Sequence, residues 1–415
     1  MTASSTSQMQ NLRGTDNTAL IPKYWEKRFL KDQHEKDPLK PFYGTNSIVV
    51  TDYDLKAKKG DSVVVPIAGL PSGSGVTDDG DYDADIGSVE VYDFEVTVHE
   101  HGRALGLKGK MSEKSPAFSS RTLLMDTLTN WKSMFNARGV IDALSGLKLH
   151  TLGGNVLGAS GLALESTTQI GCVNQVAPAY ASGDTAKRYY CGGQTTADSY
   201  TGRIATAADP TTTTDSNYLM GPLVIQALRQ VARQTVDSSG NLIDPVQPIN
   251  VNGKKLYVLL VSLEQGTNIR QSTMWKNGHY YADIRGLENS IFSGQIGVWD
   301  GVMVIETDLV HQRTGRIIAS SLCGPTWFDI STTNCQTGVS VHRALFLGQK
   351  AVAWVWGEAP EYKEFYADHA KTKWAARVTS IYGIKKVCKA SSSTTSSTVI
   401  SDSEKGCIVV DTCVV

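Results

Sequence analysis

The feature that most constrains the fold is the alternating segment Ser88–His99. One side carries the apolar residues Tyr92, Phe94, Val96 and Val98, and the other carries Asp93, Glu95, Thr97 and His99. This period of two predicts a β-strand with one apolar face. Twelve residues at about 3.3 Å each would span about 40 Å, twice a typical strand. Val89 and Val91 stand in the opposite phase, which predicts a bulge near Val91, and Gly102 is expected to end the strand.

A second apolar strand, predicted over Asp61–Leu70, precedes this segment. Pro71–Gly75 (PSGSG) follows it with the composition of a flexible turn. The two strands predict a β-hairpin. Because a two-stranded hairpin is marginally stable by itself, we expect it to lie on another surface, such as a neighbouring subunit.

An acidic segment, Asp78–Asp85, lies between the two predicted strands. Alternating aspartates suggest calcium, but the EF-hand loop requires Gly at its sixth position and Glu at its twelfth. Counted from Asp81, those positions hold Ile86 and Tyr92, so the pattern fails. We expect this segment to face a basic neighbour or to stay solvated.

The strongest helix signal begins at Ser115–Pro116, a capping residue before Pro at the first helical position. Apolar residues then recur at helical spacing, at Leu124, Leu128, Trp131 and Phe135, and Met134, Ile141 and Leu144 widen the apolar stripe. Gly146 marks the predicted end, and Gly139 is a position where the helix could bend. A helix of this extent is about 45 Å long, and its apolar stripe is a packing face.

The rest of the chain predicts a mixture of helices and strands, and therefore an α+β fold. A helix is predicted over 219–236, a buried strand over 255–263, and a turn into another buried strand over 297–305. Periodicity leaves 344–356 open between helix and strand, and 374–387 is interpreted as a strand pair around Gly383. A Ser/Thr-rich linker (391–398) separates this region from an apolar C-terminal end.

Composition excludes several classes of protein. The 415 residues carry a net charge of −1, which argues against a dedicated nucleic-acid reader and leaves little repulsion between copies. Apolar content is too high for global disorder. No run of about 18 apolar residues predicts a membrane span, and the polar N-terminus does not have the pattern of a secretory signal. The seven cysteines form no C-x-x-C pair and are interpreted as free thiols.

No motif identifies an active site. Nucleophile-elbow, phosphate-loop, dinucleotide and H-E-x-x-H patterns are all lacking in the sequence. Leu152–Gly161 is glycine-rich without the context of a phosphate loop. In a strand, His99 and His101 would point to the same face and could hold a metal ion with a third ligand, but a strand end with exposed polar residues is the simpler interpretation of His99-Glu100-His101. We therefore expect a non-enzymatic, self-assembling structural protein without cofactor or metal. A decoration or receptor-binding module, or a hydrolase with unrecognised carboxylates, remain alternatives.

The order of a polar arm, a long hairpin and a long helix resembles the major capsid protein of tailed bacteriophages, the Johnson fold. Local sequence is similar to the podovirus capsid family related to coliphage N-four. The similarity is carried by Asp54–Asp61, Ile67–Gly75, Asp93–Gly102, Phe292–Ile305, Ala344–Gly348 and Tyr382–Lys386. Residues 147–217 match poorly, and the segment after Ala390 lies outside the resemblance.

The resemblance implies a division of the chain into the parts of a capsid subunit. These are an N-terminal arm (1–49), an extended hairpin loop (50–105), a peripheral domain with a spine helix and a Gly/Thr-rich insertion (106–217), an axial domain (218–340), a return to the axial and peripheral sheets (341–390) and a C-terminal tail (391–415).

The implied function is assembly in the host cytoplasm, as hexamers and pentamers, into an icosahedral virion capsid around double-stranded DNA. The implied partners are further copies of the chain, a portal protein, scaffolding or decoration proteins and non-specifically packaged DNA, with no membrane. Inter-subunit contacts are expected from Trp25, Tyr92, Phe94, Val96, Asp79, Asp81 and Asp83.

Overall fold

A computed structural model shows the fold of this chain. It describes residues 39–54, 62–68, 76–77, 91–107, 120–145, 173–174, 189–203, 218–235, 245–251, 253–283, 295–310, 312–313, 340–369, 373–388 and 405–414. These residues fall into two compact units. The smaller includes Arg103–Asn130 and Tyr362–Val378, and the larger includes His34–Gly102, Trp131–Glu361 and Thr379–Val415.

The described elements are helices and strands in mixed order, as an α+β fold requires. The helices α1 to α4 are Ser120–Ser145, Pro222–Arg233, Leu263–Gln271 and Thr273–Asp283. The strands β1 to β16 are Val49–Asp54, Ser62–Ala68, Val91–Thr97, His99–Gly106, Val173–Asn174, Tyr189–Gln194, Tyr200–Arg203, Ile249–Val251, Lys254–Val261, Gln295–Trp299, Val302–Glu306, Gln312–Arg313, Ser340–Leu347, Val352–Tyr366, Trp374–Lys386 and Cys407–Val414.

A nine-stranded sheet has the main order β10-β11-β9-β13-β16-β6-β7, with β8 and β12 paired at its side. At one edge, β10 and β11 form a tight hairpin around Asp300 and Gly301, which both have positive φ. Positive φ at both central residues is typical of the type I′ turn that joins twisted antiparallel strands. The predicted turn into a buried strand over 297–305 is therefore confirmed.

Side chains alternate between the two faces of this sheet, and each face covers its own core. Leu345, Leu347 and Val409 pack with the C-terminal half of α1. Their neighbours Phe346 and Ile408 pack on the other face with helix α2. The continuous apolar runs of β9, β13 and β16 follow from this arrangement, because strands covered on both faces need apolar residues at every position.

A five-stranded sheet follows the order β1-β14-β15-β4, with β5 beside β15. Within the larger unit, Val352, Trp354, Tyr382 and Ile384 pack with α1. The alternate positions Ala353 and Val355 face away from that core and join a separate apolar cluster. Helix α1 therefore packs on one face of this sheet, and the hairpin of β2 and β3 packs on the other.

The smaller unit has its own apolar cluster. Leu128 of α1 packs with Trp374, Ala376 and Val378 of β15. The guanidinium of Arg121 lies 5.0 Å from the ring centroid of Trp374, within range of a cation–π interaction.

Helix predictions agree with the structure in position. The described part of α1 begins at Ser120, runs through Gly139 and ends at Ser145, directly before Gly146. The predicted start at Ser115 lies outside the described residues. Helix α2 confirms the helix expected over 219–236, with Pro222 in its first turn.

Several strand predictions require correction. The long strand over Ser88–His99 is two strands, since β3 ends at Thr97 and β4 begins at His99 in the five-stranded sheet. Gly102 does not end the strand, because pairing beside β15 carries β4 to Gly106. No bulge interrupts the described pairing of β3, which is regular from Val91 to Thr97.

One alternative that the sequence left open is resolved, and two further segments differ from expectation. Residues 344–356 contain the end of one strand and the start of the next, β13 and β14. The strand pair predicted over 374–387 is a single strand, Trp374–Lys386, with Gly383 inside it, so Gly383 is not a turn. The predicted tail over 391–415 includes β16, which lies between β13 and β6 inside the nine-stranded sheet. A segment buried in a sheet belongs to the fold, and the interpretation of 407–414 as a tail is wrong.

Candidate inter-subunit hairpin

The hairpin of β2 and β3 forms a two-stranded sheet of its own within the described part of the chain. Its register pairs Val63 with Val96 and Val65 with Phe94. These four residues share one face, because side chains opposite each other in an antiparallel pair point the same way. The predicted hairpin and its apolar face are confirmed.

This apolar face is covered by its own chain. Phe94 is 1% exposed and Val96 is 0% exposed, and both pack in a cluster with Ala353 and Val355 of β14. Val387 completes the cluster from the segment after β15. Buried side chains have no surface left for a neighbouring subunit, so the structure assigns Phe94 and Val96 to the core of their own subunit.

The opposite face of the hairpin is open. Val64, at the centre of β2, is 53% exposed and lies across from the exposed Glu95. A partner that covered this side chain would remove apolar surface from water, which favours association. The surface that the hairpin can offer a neighbour is therefore the Val64 side.

Two residues of β15 hold the base of the hairpin. A Cβ built on Gly383 would lie 2.1 Å from the carbonyl oxygen of Thr97, so only glycine permits this approach. Two positions along, the ammonium of Lys385 donates a hydrogen bond of 2.7 Å to the carbonyl oxygen of Glu95. The same Nζ lies 5.5 Å from the centroid of the Phe94 ring. We call Gly383, Lys385, Ala353 and Val355 the hairpin seat.

The other residues expected at subunit contacts are only partly described. Tyr92 pairs with Ile67 in the hairpin register. Trp25, Asp79, Asp81 and Asp83 lie outside the described residues. Contacts from those positions remain predictions.

The candidate metal cluster at His99, Glu100 and His101 has a different arrangement. His99 and Glu100 are exposed, whereas the His101 ring stacks against the rings of Phe135 and Trp131, with centroids 4.1 and 5.4 Å away. Within the ranges that the structure describes, no group of three His, Cys, Asp or Glu side chains could hold a metal ion.

Burial and a nearby cation determine the charge of His101. Burial and the Lys132 ammonium, whose Nζ lies 3.5 Å from the imidazole Nδ1, together lower its pKa to about 4, with burial the larger cause. Lys132 is 5% exposed and lies 4.4 Å from the centroid of the Tyr382 ring. His101 is therefore neutral at pH 7 and acts as an aromatic packing residue.

A Ser–His–Glu arrangement, which the sequence did not reveal, lies in the larger unit. Ser262 Oγ is 2.7 Å from His342 Nδ1, and Glu264 Oε2 is 3.0 Å from His342 Nε2. Ser262 and His342 are both 0% exposed, and Ser262 caps helix α3 by accepting from the Gln265 amide. A hydroxyl buried in a helix cap cannot meet a substrate, so this arrangement is structural.

One signal for that arrangement was present in the sequence. Ser262 and Gln265 have the spacing of a capping box, and the structure contains both of its reciprocal hydrogen bonds. The involvement of His342 has no local signal, because 80 residues separate it from Ser262.

Of the helices that the structure describes, none is long and apolar enough to cross a membrane.

Comparison with solved structures shows the fold. The chain is similar to the capsid protein of Ralstonia phage GP4, with 18% identity, 95% of each chain covered and a TM-score of 0.67. It is also similar to the head of Helicobacter pylori bacteriophage KHP40, with 14% identity, coverage of 96% and 97% and a TM-score of 0.63. A third similar structure is the cyanophage Pam1 capsid, with 15% identity, coverage of 95% of this chain and 96% of the other, and a TM-score of 0.63.

Sequence comparison shows the family. No curated protein sequence matches the chain. The phage capsid protein family matches residues 9–415, which includes the region after Ala390 that the local resemblance left out. The chain therefore belongs to the phage capsid protein family and is a structural component of the virion capsid, not an enzyme.

Proposed function

We propose that copies of this chain assemble as hexamers and pentamers into an icosahedral shell that encloses double-stranded DNA. The observation that carries this proposal is the family match over residues 9–415. The fold shared with phage capsids over about 95% of the chain supports it. Assembly would take place in the host cytoplasm, with a portal protein and scaffolding or decoration proteins as partners and the DNA held without sequence preference.

The proposal includes a finer relationship, to the podovirus capsids related to coliphage N-four. It also includes the division into arm (1–49), extended loop (50–105), peripheral domain (106–217), axial domain (218–340), return segment (341–390) and C-terminal segment (391–415). Two observations refine this division. Leu39 and Ile48 are buried in the core beside α1, so the end of the proposed arm is part of the subunit body. Strand β16 makes the C-terminal segment part of the nine-stranded sheet.

Contacts between subunits would use apolar side chains that the single chain leaves exposed. Burial of apolar surface stabilises association by about 25 cal/mol per Å². The exposed large apolar residues within the described ranges are Val64, Met125, Tyr200, Leu263, Val298, Phe365 and Tyr366. Val64 is the one on the hairpin.

Expression of the chain, alone and with the genes beside it, followed by electron microscopy, tests the proposal. Closed shells of uniform diameter are expected. A protein that stays monomeric under all of these conditions would contradict it.

A pair of substitutions separates assembly from folding. Val64→Asp should leave the circular dichroism spectrum and the unfolding midpoint of the subunit unchanged but reduce the yield of shells, because Val64 is exposed. Phe94→Asp should unfold the subunit, because it puts a charge into the apolar cluster. Normal shells from Val64→Asp would place the contact elsewhere.

A further inference from the structure

We propose that Gly383 and Lys385 are positioning residues that set the direction of the hairpin and, through it, the diameter of the shell. This inference rests on the proposed function, because it takes the hairpin as an element that contacts the neighbouring subunit. It assigns a specific task to two residues that stand two positions apart in β15 and contact the hairpin of their own chain.

Gly383 permits the closest approach between the hairpin and the sheet. A Cβ at this position would lie 2.1 Å from the Thr97 carbonyl oxygen and 3.0 Å from its carbonyl carbon. Both atoms are backbone, so they can move away only if the strand moves with them. Thr97 is the last residue of β3, and an added methyl group would therefore push the base of the hairpin away from β15.

Lys385 holds the hairpin from the same strand. Its ammonium donates to the Glu95 carbonyl oxygen at 2.7 Å and lies over the Phe94 ring at 5.5 Å. A hydrogen bond from a charged donor is stronger than one between neutral groups. Gly383 sets the distance between Thr97 at the base of the hairpin and strand β15. Lys385 holds β3 to the same strand at Glu95.

The remaining two seat residues fix the hairpin's tilt. Ala353 and Val355 of β14 are both 0% exposed and receive the Phe94 and Val96 side chains. Because close-packed interiors accept few alternative arrangements, these contacts define one tilt of the hairpin against the sheet. The exposed Val64 on the far side of the hairpin then points in a direction that the seat determines.

A shell depends on that direction. Each subunit presents the same hairpin to its neighbour, so a constant change in its direction changes the angle between neighbours at every contact. Repetition of one contact through a closed assembly makes the assembly's geometry sensitive to the contact's angle. The seat is therefore expected to affect particle diameter more than subunit stability.

The test uses the full-length chain with Gly383→Ala and, as matched control, Gly357→Ala. Gly357 lies in the neighbouring strand β14, where a new Cβ would lie 2.9 Å from the side-chain Cγ2 of Ile381 and 3.5 Å, an ordinary contact distance, from its carbonyl oxygen. Lys385→Met is the second test variant, because it keeps the side chain's apolar stem but removes its hydrogen-bond donors.

Two measurements are made on each variant. Hydrogen exchange on dissociated subunits reports the amides of Val91–Thr97, and electron microscopy reports particle diameter. In Gly383→Ala and Lys385→Met, exchange in the hairpin should rise about tenfold while exchange in β9 and β13 stays unchanged. Particles should be open or broadly distributed in diameter. Gly357→Ala should match the wild type in both measurements.

The outcomes distinguish this inference from the proposed function. If the wild type forms no shells, the proposed function fails, whereas the exchange measurement still tests whether the seat holds the hairpin. If the wild type forms shells and both test variants give shells of the same diameter, the inference is overturned. If Gly383→Ala does not fold, the inference is tested by Lys385→Met alone. Unchanged hydrogen exchange in the hairpin of Lys385→Met would then overturn the inference.

Discussion

Arg343 and Asp411 face each other across β13 and β16, and the guanidinium of Arg343 donates two parallel hydrogen bonds to the carboxylate of Asp411. Nε donates to Oδ1 and Nη2 donates to Oδ2, both at 2.8 Å. The remaining Nη1 donates to the carbonyl oxygen of Ser145, the last residue of α1. One buried side chain thus connects the C-terminal strand to the end of the longest described helix.

Removal of one partner of this pair should be strongly destabilising. Asp411→Leu leaves the buried Arg343 without its counter-charge, and we expect a loss of about 3–5 kcal/mol in the free energy of unfolding. The double variant with Arg343→Met should recover most of that loss, because it removes the unpaired charge as well. Urea unfolding of dissociated subunits measures both. If the double variant is no more stable than Asp411→Leu alone, the unpaired charge of Arg343 is not the cause of the loss, and the hydrogen bonds of the pair stabilise the subunit in their own right.

Acid should weaken the subunit through His101. Its pKa is about 4 in the folded chain and about 6.5 in the unfolded chain, so the folded state disfavours the proton. Stability is therefore complete above about pH 6.5 and decreases as the pH falls from 6.5 to 4. We expect a loss of about 2 kcal/mol, since a tenfold change in proton affinity is worth about 1.4 kcal/mol and partial exposure screens some of it.

The check is a series of unfolding curves between pH 7 and pH 4. His101→Phe keeps a ring stacked against Trp131 and Phe135 and should flatten this part of the pH dependence. His342, whose pKa burial also lowers despite the nearby Glu264, should leave a residual slope of the same sign. An unchanged slope in His101→Phe would remove His101 as a source of acid sensitivity.

Deletion of residues 407–415 should abolish the soluble fold. Strand β16 lies between β13 and β6, and its Ile408, Val409 and Val410 are 0% exposed. Its loss would separate β6 and β7 from the sheet. Solubility and circular dichroism of the truncated chain measure the effect.

Deletion of the Ser/Thr-rich residues 391–398 provides the control. The amide of Lys405 donates to the carbonyl oxygen of Val387 at 3.3 Å, so the two ends of this excursion are adjacent and a shorter connection can join them. We expect the shortened chain to fold. A shortened chain as insoluble as the truncated one would contradict the reason given for both results.

Asp198 should stabilise two helices at once. Its Oδ2 accepts a hydrogen bond from the backbone N–H of Met274 at the start of α4. Its Oδ1 accepts from the side-chain Nε2 of Gln194. The Oε1 of the same Gln194 side chain accepts from the backbone N–H of Leu223 in α2. Asp198 also has φ of +56°, which Asp and Asn tolerate better than most residues. Asp198→Ala should cost about 2 kcal/mol, from a lost cap and a strained backbone.

Thermal unfolding compares this variant with Asp198→Asn. The asparagine accepts positive φ and keeps one oxygen acceptor, so its cost should be clearly smaller. Equal losses in the two variants would mean that charge near the helix ends, and not capping geometry, is what Asp198 contributes.

The sequence by itself determined the elements whose signal is local. Alternation over Tyr92–Val98 identified one strand of the hairpin, and helical spacing from Leu124 to Leu144 identified α1. Both patterns record which face of a segment is apolar, and a face needs only neighbouring residues to define it. Gly146 marked the end of α1 for the same reason.

Only the tertiary structure decided which elements meet. The pairing of β16 with β13, the Ser262–His342 contact and the burial of Phe94 within its own subunit all join residues far apart in the chain. Gly383 shows why sequence could not supply this. An isolated glycine in a strand is compatible with a turn or with a close backbone approach, and the deciding atom, the Thr97 carbonyl oxygen, is 286 positions away. Local patterns say which face a segment buries, whereas the packed fold chooses the partner that buries it.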